Sequence, residues 1–171
     1  GVRASCCIVT PITPSMRFPR NNMRFIWLTI LVGCNSLAAA SWTATRQLPA
    51  SEAHQAAAAE GEFVYAITSR SVAKYDRATG KRLAVSTGAA RHLNSGFFLQ
   101  GKLLCAHSNY PLKPERSEIK VLDVDTMKLT NFKAFGKAGG SLVWVLHKDG
   151  HWWCNFAHYG AGNAKTFLAK Y

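Results

Sequence analysis

Acidic residues are scarce in this chain. Nine Asp and Glu stand against 21 Lys and Arg in 171 residues, a formal charge of +12 at pH 7. No acid precedes Cys34, whereas Arg3, Arg17, Arg20 and Arg24 all do, so the part after Cys34 holds 17 bases against nine acids. Such an excess favours acidic partners, among them anionic glycans, envelope phosphates and nucleic acid. Nucleic acid is disfavoured, because Lys81, Arg82, Lys102, Lys128 and Lys148 are scattered and no basic run interleaves with aromatics. Long apolar runs are missing too. Residues 25–32 form a short one, far below the ~18–20 residues that span a bilayer. Beyond Cys34 the cysteines number two, Cys105 and Cys154. They read either as one disulfide, which export permits, or as two small buried apolar residues. No long 3.6-residue apolar period follows the front of the chain. Nor is there a Ser-His-Asp or paired-carboxylate spacing, and the loop glycines Gly139, Gly140, Gly160 and Gly162 lack the strand-turn-helix setting of a phosphate cradle.

The front is a targeting segment by pattern. Residues 16–24 carry three arginines and no acid, residues 25–32 are apolar, and Ala38-Ala39-Ala40 ends in small side chains. Basic region, apolar region and small-residue site make a signal peptide within residues 1–40, with export to the periplasm, the medium or the envelope surface. Leu31-Val32-Gly33-Cys34 resembles a bacterial lipobox, so Cys34 is either lipidated or removed with the signal. Residues 1–15, with Cys6 and Cys7, read as translated upstream sequence or a disordered leader. Residues 41–53 read as a polar linker, and membrane contact is expected only through the signal or a lipid.

The remainder, residues 54–171, repeats itself. Gly101, Cys105 and Tyr110 recur at the spacing of Gly150, Cys154 and Tyr159, and residues 61–68 fit the same frame with Gly61 on Gly101. Asp76, Thr79 and Lys81 recur as Asp123, Thr126 and Lys128. Apolar runs flank Asp149-Gly150, a strong hairpin signal. The unit therefore reads as four short strands: A at 95–99 and 141–146; B at 62–68, 102–107 and 151–157; C at 72–76, 118–123 and 166–171; D at 82–87 and 129–135. Residues 55–59 supply the first strand A. A period near 45 residues of antiparallel strands predicts an all-β fold, an incomplete propeller of two to three four-stranded blades that needs further blades or another subunit. The Asp-x-x-Thr turn has a local cause: the carboxylate accepts from amides two and three residues on.

The run Ala73-Lys74-Tyr75-Asp76 with Thr79-Gly80-Lys81 resembles the repeats of quinoprotein-type and lactonase-like bacterial propellers over residues 55–171. The resemblance implies the architecture. It departs from the quinoprotein pattern at the end of strand D, where the usual Trp is absent.

In such blades the longer connections, B to C and D to A, share one face, and binding residues concentrate on long loops of a rigid scaffold. That face is expected to carry Arg91, His92, Asn94, His107, Asn109, Tyr110, His158 and Tyr159. The first expectation is a segment that binds a small molecule, envelope component or partner there. The alternative is a lactonase- or cycloisomerase-like enzyme with a divalent metal ion on His92, His107 and His158. Trp152 and Trp153 read as core rather than as a sugar platform.

Overall fold

The computed structural model describes residues 43–171. The signal segment, Cys34 and residues 38–40 lie outside the described residues. Ala44–Tyr171 forms one compact unit. Its strands are β1 (Ala56–Glu60), β2 (Phe63–Ile67), β3 (Val72–Asp76), β4 (Arg82–Val85), β5 (His92–Leu99), β6 (Lys102–Ser108), β7 (Ser117–Asp123), β8 (Lys128–Gly136), β9 (Ser141–Lys148), β10 (His151–Ala157) and β11 (Phe167–Lys170). They build three antiparallel sheets in simple meander order: sheet I, β1-β2-β3-β4; sheet II, β5-β6-β7-β8; sheet III, β9-β10-β11. The chain is all-β.

The sheets stack because their strands alternate. In β6, Leu103 and Cys105 join the core shared with sheet I, while Leu104 and Ala106 join the core shared with sheet III. Side chains one residue apart point to opposite faces of a strand, so sheet II is apolar on both sides. We call the side toward the next sheet in the chain the forward face, and the other the backward face. The core between sheets I and II holds Tyr65, Ile67, Val72, Leu93, Leu103 and Leu122. The core between sheets II and III holds Leu104, Ile119, Leu142, Val145, Cys154 and Phe156. Each fully buried aliphatic side chain contributes roughly 1.5–3 kcal/mol of transfer free energy. Polar ties cross the same gaps. Lys74 Nζ of sheet I donates to Val124 O beside sheet II at 3.2 Å. The buried Ser117 hydroxyl donates to Gly140 O at 2.8 Å and accepts from Leu142 N–H at 2.9 Å, fastening sheet II to sheet III.

The hairpins follow their turn residues. Gln100-Gly101 and Asp149-Gly150 have positive φ at both central positions, the condition of a two-residue type I′ turn. Asp76 Oδ1 accepts from Thr79 N–H at 2.6 Å and from its hydroxyl at 2.7 Å. Asp123 Oδ1 repeats this with Thr126 at 2.8 and 2.9 Å. Met127 takes the place of Gly80, with φ +54 against +74, and its side chain is buried in the first core.

Three features differ from the sequence reading. The frame of the first repeat slips by one residue. The first hairpin turn is Gly61-Glu62, so Phe63, not Glu62, corresponds to Lys102 and His151. Gly61 occupies the first turn position, whereas Gly101 and Gly150 occupy the second. The true equivalents are Ala66, Cys105 and Cys154 on backward faces, all buried. Second, β5 starts at His92, three residues before the expected strand. A register shift between Leu93 and Gly96 hides its alternation, so His92 and Asn94 lie on the strand and not in the connection. Third, residues Gly160–Lys165, expected as loop, form a short 3-10 helix.

Residues expected as linker lie across the backward face of sheet I. Arg46 Nη2 donates to Ala78 O at 2.6 Å, Ala50 covers Ala66, Ala73 and Tyr75, and Glu52 accepts from the Tyr75 hydroxyl and, at 2.5 Å, from Arg82. These bonds hold the Glu52 carboxyl down at about 2, the Tyr75 bond being the largest cause.

Candidate ligand-binding face

The end of the sheets where β6 meets β7 and β10 meets β11 carries the long connections. Three rings line up there. His92, the first residue of β5, lies 5.2 Å from Tyr110 of the β6–β7 connection, and Tyr110 lies 4.6 Å from Tyr159 before the 3-10 helix, centroid to centroid. The row bridges sheets II and III. Tyr159 is 45% exposed, His92 and Tyr110 about half-buried. Burial lowers the affinity of His92 for a proton and raises the Tyr159 phenol, helped by Tyr110 and Glu115. Neutral aromatic faces of this kind stack against flat or ring-shaped ligands.

The remaining residues named from sequence hold that row in place. Asn109 closes the β6–β7 connection: its Oδ1 accepts from Arg116 N–H at 2.8 Å and its Nδ2 donates to Pro114 O at 3.0 Å. Asn94 Nδ2 donates to His92 O at 3.2 Å and across to Leu142 O of sheet III at 3.0 Å. Arg91 N–H donates to His107 Nε2 at 2.9 Å. His158 is fixed by its own N–H, which donates to Thr166 Oγ1 at 3.0 Å. Its ring lies against Gly140.

Near the row sits a polar cluster of which the sequence pointed only to His107, because strand pairing brings Glu118, Lys120 and Asn131 to it. Glu118 Oε1 lies 3.0 Å from both His107 Nδ1 and Lys120 Nζ, and Lys120 donates to Asn131 Oδ1 at 2.6 Å. The contact with His107 is one of charge and proximity, since Nδ1 makes no well-directed hydrogen bond. His107 and Lys120 are each 7% exposed. Burial pushes the His107 imidazole down to about 4 against the opposing pull of Glu118. Because Nε2 accepts from Arg91, the neutral ring carries its proton on Nδ1, facing the carboxylate. A cleft of about 460 Å³ opens beside the cluster, lined by His107, Asn109, Arg116, Ser117, Glu118 and Ala134.

The three histidines do not converge. Among the described residues no three His, Cys, Asp or Glu side chains are grouped to hold a metal ion. His107 is engaged by Arg91 and Glu118, and His158 lies against Gly140. Cys105 and Cys154 are both free and buried, one in each core. Burial pushes their thiols up to about 12 and about 11, the condition of inert apolar residues. Trp152 packs into the second core against Phe97 and Phe132. Trp153 lies on the opposite face, with Lys170 Nζ 5.5 Å above its ring.

No protein-family model and no curated protein matches the chain. Among solved structures it is similar to the crystal structure of the computationally designed Ika4 protein, at 13% identity over 73% of this chain and 94% of that one, with a TM-score of 0.42. A likeness of that size carries no argument about activity or architecture.

Proposed function

We propose that the three sheets are successive blades of an incomplete β-propeller, exported to the cell envelope, which binds a ring-bearing acidic ligand on its long-loop face. The single observation that carries the binding role is the row His92–Tyr110–Tyr159, three rings from separate segments of two sheets, each within 5.2 Å of the next. The propeller reading draws support from meander sheets that share alternating cores on both faces of sheet II. The acidic character of the ligand follows from the excess of 17 bases over nine acids after Cys34 and from Arg91, next to His92 in the chain, and Arg116, whose backbone N–H donates to Asn109. An acidic envelope glycan has both the ring faces and the charge. Export follows from the pattern of residues 16–40, with Cys34 lipidated or removed.

The test is a fluorescence titration with a uronic-acid oligosaccharide. Saturable binding, weakened about tenfold or more by Tyr159→Ala, is expected, the size set by one lost aromatic contact of ~1–2 kcal/mol. Binding that is absent, or indifferent to Tyr110→Ala and Tyr159→Ala, removes the reading.

A further inference from the structure

The forward face of sheet III is apolar, and among the described residues no sheet covers it. Trp144, Leu146, Trp153 and Leu168 share it with Asn155 and Lys170, as the strand registers require. Trp144 is 41% and Leu168 54% exposed. Within the chain, the equivalent faces are the ones that meet the next sheet. Trp153 stands where sheet I has Tyr65 and sheet II has Leu104, counting from the hairpin turns. Those two are 2% and 3% exposed, each buried by the following sheet. The likeness extends to charge. Lys74 lies over the Tyr65 ring as Lys170 lies over Trp153, and Lys74 Nζ ends on the carbonyl of Val124, inside the Asp123–Thr126 turn of the next sheet.

What covers such a face is shown in the molecule where sheet II meets sheet I: the backward face of a like sheet, small at its centre and edged by the Asp123–Thr126 turn. In sheet II that centre is Gly96 with Cys105; a Cβ added to Gly96 would meet Ile67 Cδ1 at 2.5 Å. Among the described residues, one face not packed against another sheet has this character. The backward face of sheet I presents Ala57 and Ala59 on β1, both exposed, then Ala66 and Ala73. Its turn carries Asp76 and Thr79. The bulkiest forward face and the smallest backward face belong to the same chain.

We propose that the forward face of sheet III receives the backward face of sheet I of a second copy, head to tail. The same contact made twice closes two copies into a ring of six sheets. Lys170 then reaches the Asp76–Thr79 turn of the second copy, as Lys74 reaches the Asp123–Thr126 turn within the chain. The segment from Arg46 to Glu52 covers the centre of this face, where Ala66 and Ala73 are 1% and 0% exposed. Ala50 is its one apolar contact in that cluster, and the bonds of Arg46 to Ala78 and of Glu52 to Tyr75 and Arg82 hold it; a second copy displaces it. The inference rests on the blade reading and is independent of ligand binding.

The experiment is sedimentation equilibrium of the full chain, alone and as the variants Trp153→Asp and Ala57→Arg. The full chain is expected to form dimers. Each variant alone is expected to raise the dissociation constant about thirtyfold or more, the scale of a lost interface anchor. Mixed, the two variants are expected to associate with each other more tightly than either does with itself, because one keeps an intact forward face and the other an intact backward face. Leu168→Asp replaces Trp153→Asp if circular dichroism shows the latter unfolded. A full chain that stays monomeric, or a dimer broken by Trp153→Asp but untouched by Ala57→Arg, overturns the proposal. Cooperative unfolding of that monomer leaves the stacked blades standing; its loss takes the blade reading down as well.

Discussion

The backbone N–H of Arg91 donates to Nε2 of His107 across the β4–β5 connection, at 2.9 Å. This bond requires a lone pair on the ring, so the fold holds His107 neutral. Protonation breaks the bond and places a cation beside Lys120, with Glu118 the carboxylate paired to both among the described residues.

A pH dependence of stability follows from it. The His107 imidazole is held down at about 4 in the fold against an ordinary value of 6.5. Between those values the unfolded chain takes up a proton that the folded one refuses. The contribution is complete above pH 6.5 and is lost as pH falls toward 4. Denaturant midpoints measured from pH 8 to 4 should fall across that window, and the fall should shrink in His107→Gln. Glu52 adds a second loss at lower pH: its carboxyl sits at about 2 against 4.5, so its share is present above 4.5 and disappears below it.

Among the described residues, Glu118 is the one anion paired with the two buried bases. Glu118→Gln leaves Lys120 with Asn131 alone, and removing one partner of a largely buried ion pair is expected to cost about 2–4 kcal/mol. Replacing Glu118, Lys120 and His107 together by apolar residues of similar size should cost less than the single change. Equilibrium urea unfolding of both variants makes the comparison.

Gly96 is required by packing. Its neighbours Ile67 Cδ1 and Leu103 Cδ1 would stand 2.5 and 3.1 Å from an added Cβ. Gly96→Val is expected to destabilise by about 2–3 kcal/mol through overpacking, and paired Gly96→Ala with Ile67→Val should recover part of the loss. Thermal unfolding of the single and double variants checks it.

Ser117 fastens sheets II and III by two hydrogen bonds from one buried hydroxyl. Ser117→Ala leaves Gly140 O and Leu142 N–H unpaired and is expected to cost about 1–3 kcal/mol. The amide of Leu142 should lose hydrogen-exchange protection, while that of Leu104 keeps it.

Much of the strand order was legible in the sequence, because its signals are local. The Asp76 and Asp123 turns depend on atoms three residues away, and the two type I′ hairpins depend on Gly101 and Gly150. What escaped depends on distance or on irregularity. Gly61 looks like Gly101 in the letters but takes the other turn position, which slipped the first repeat by one residue. The irregular pairing between Leu93 and Gly96 moved His92 and Asn94 from loop to strand. The seat of Ala50 and Glu52 on sheet I carries no periodic signal, since its contacts reach residues 23 to 30 positions away. Of the candidate site, the loop positions of Tyr110 and Tyr159 could be read from the repeat, whereas the partners of His107 around Glu118 could be seen only after β6, β7 and β8 were laid side by side.

Phe97 and Phe98 give the most direct test of the stacked architecture. Adjacent in β5, they face different sheets: Phe98 meets Tyr65 of sheet I at 5.2 Å and Phe97 meets Trp152 of sheet III at 6.2 Å, centroid to centroid. Nuclear Overhauser spectra with selectively labelled aromatics should show Phe98–Tyr65 and Phe97–Trp152 cross-peaks and no Phe98–Trp152 peak. Both phenylalanines contacting the same ring, or neither contacting these partners, would contradict it.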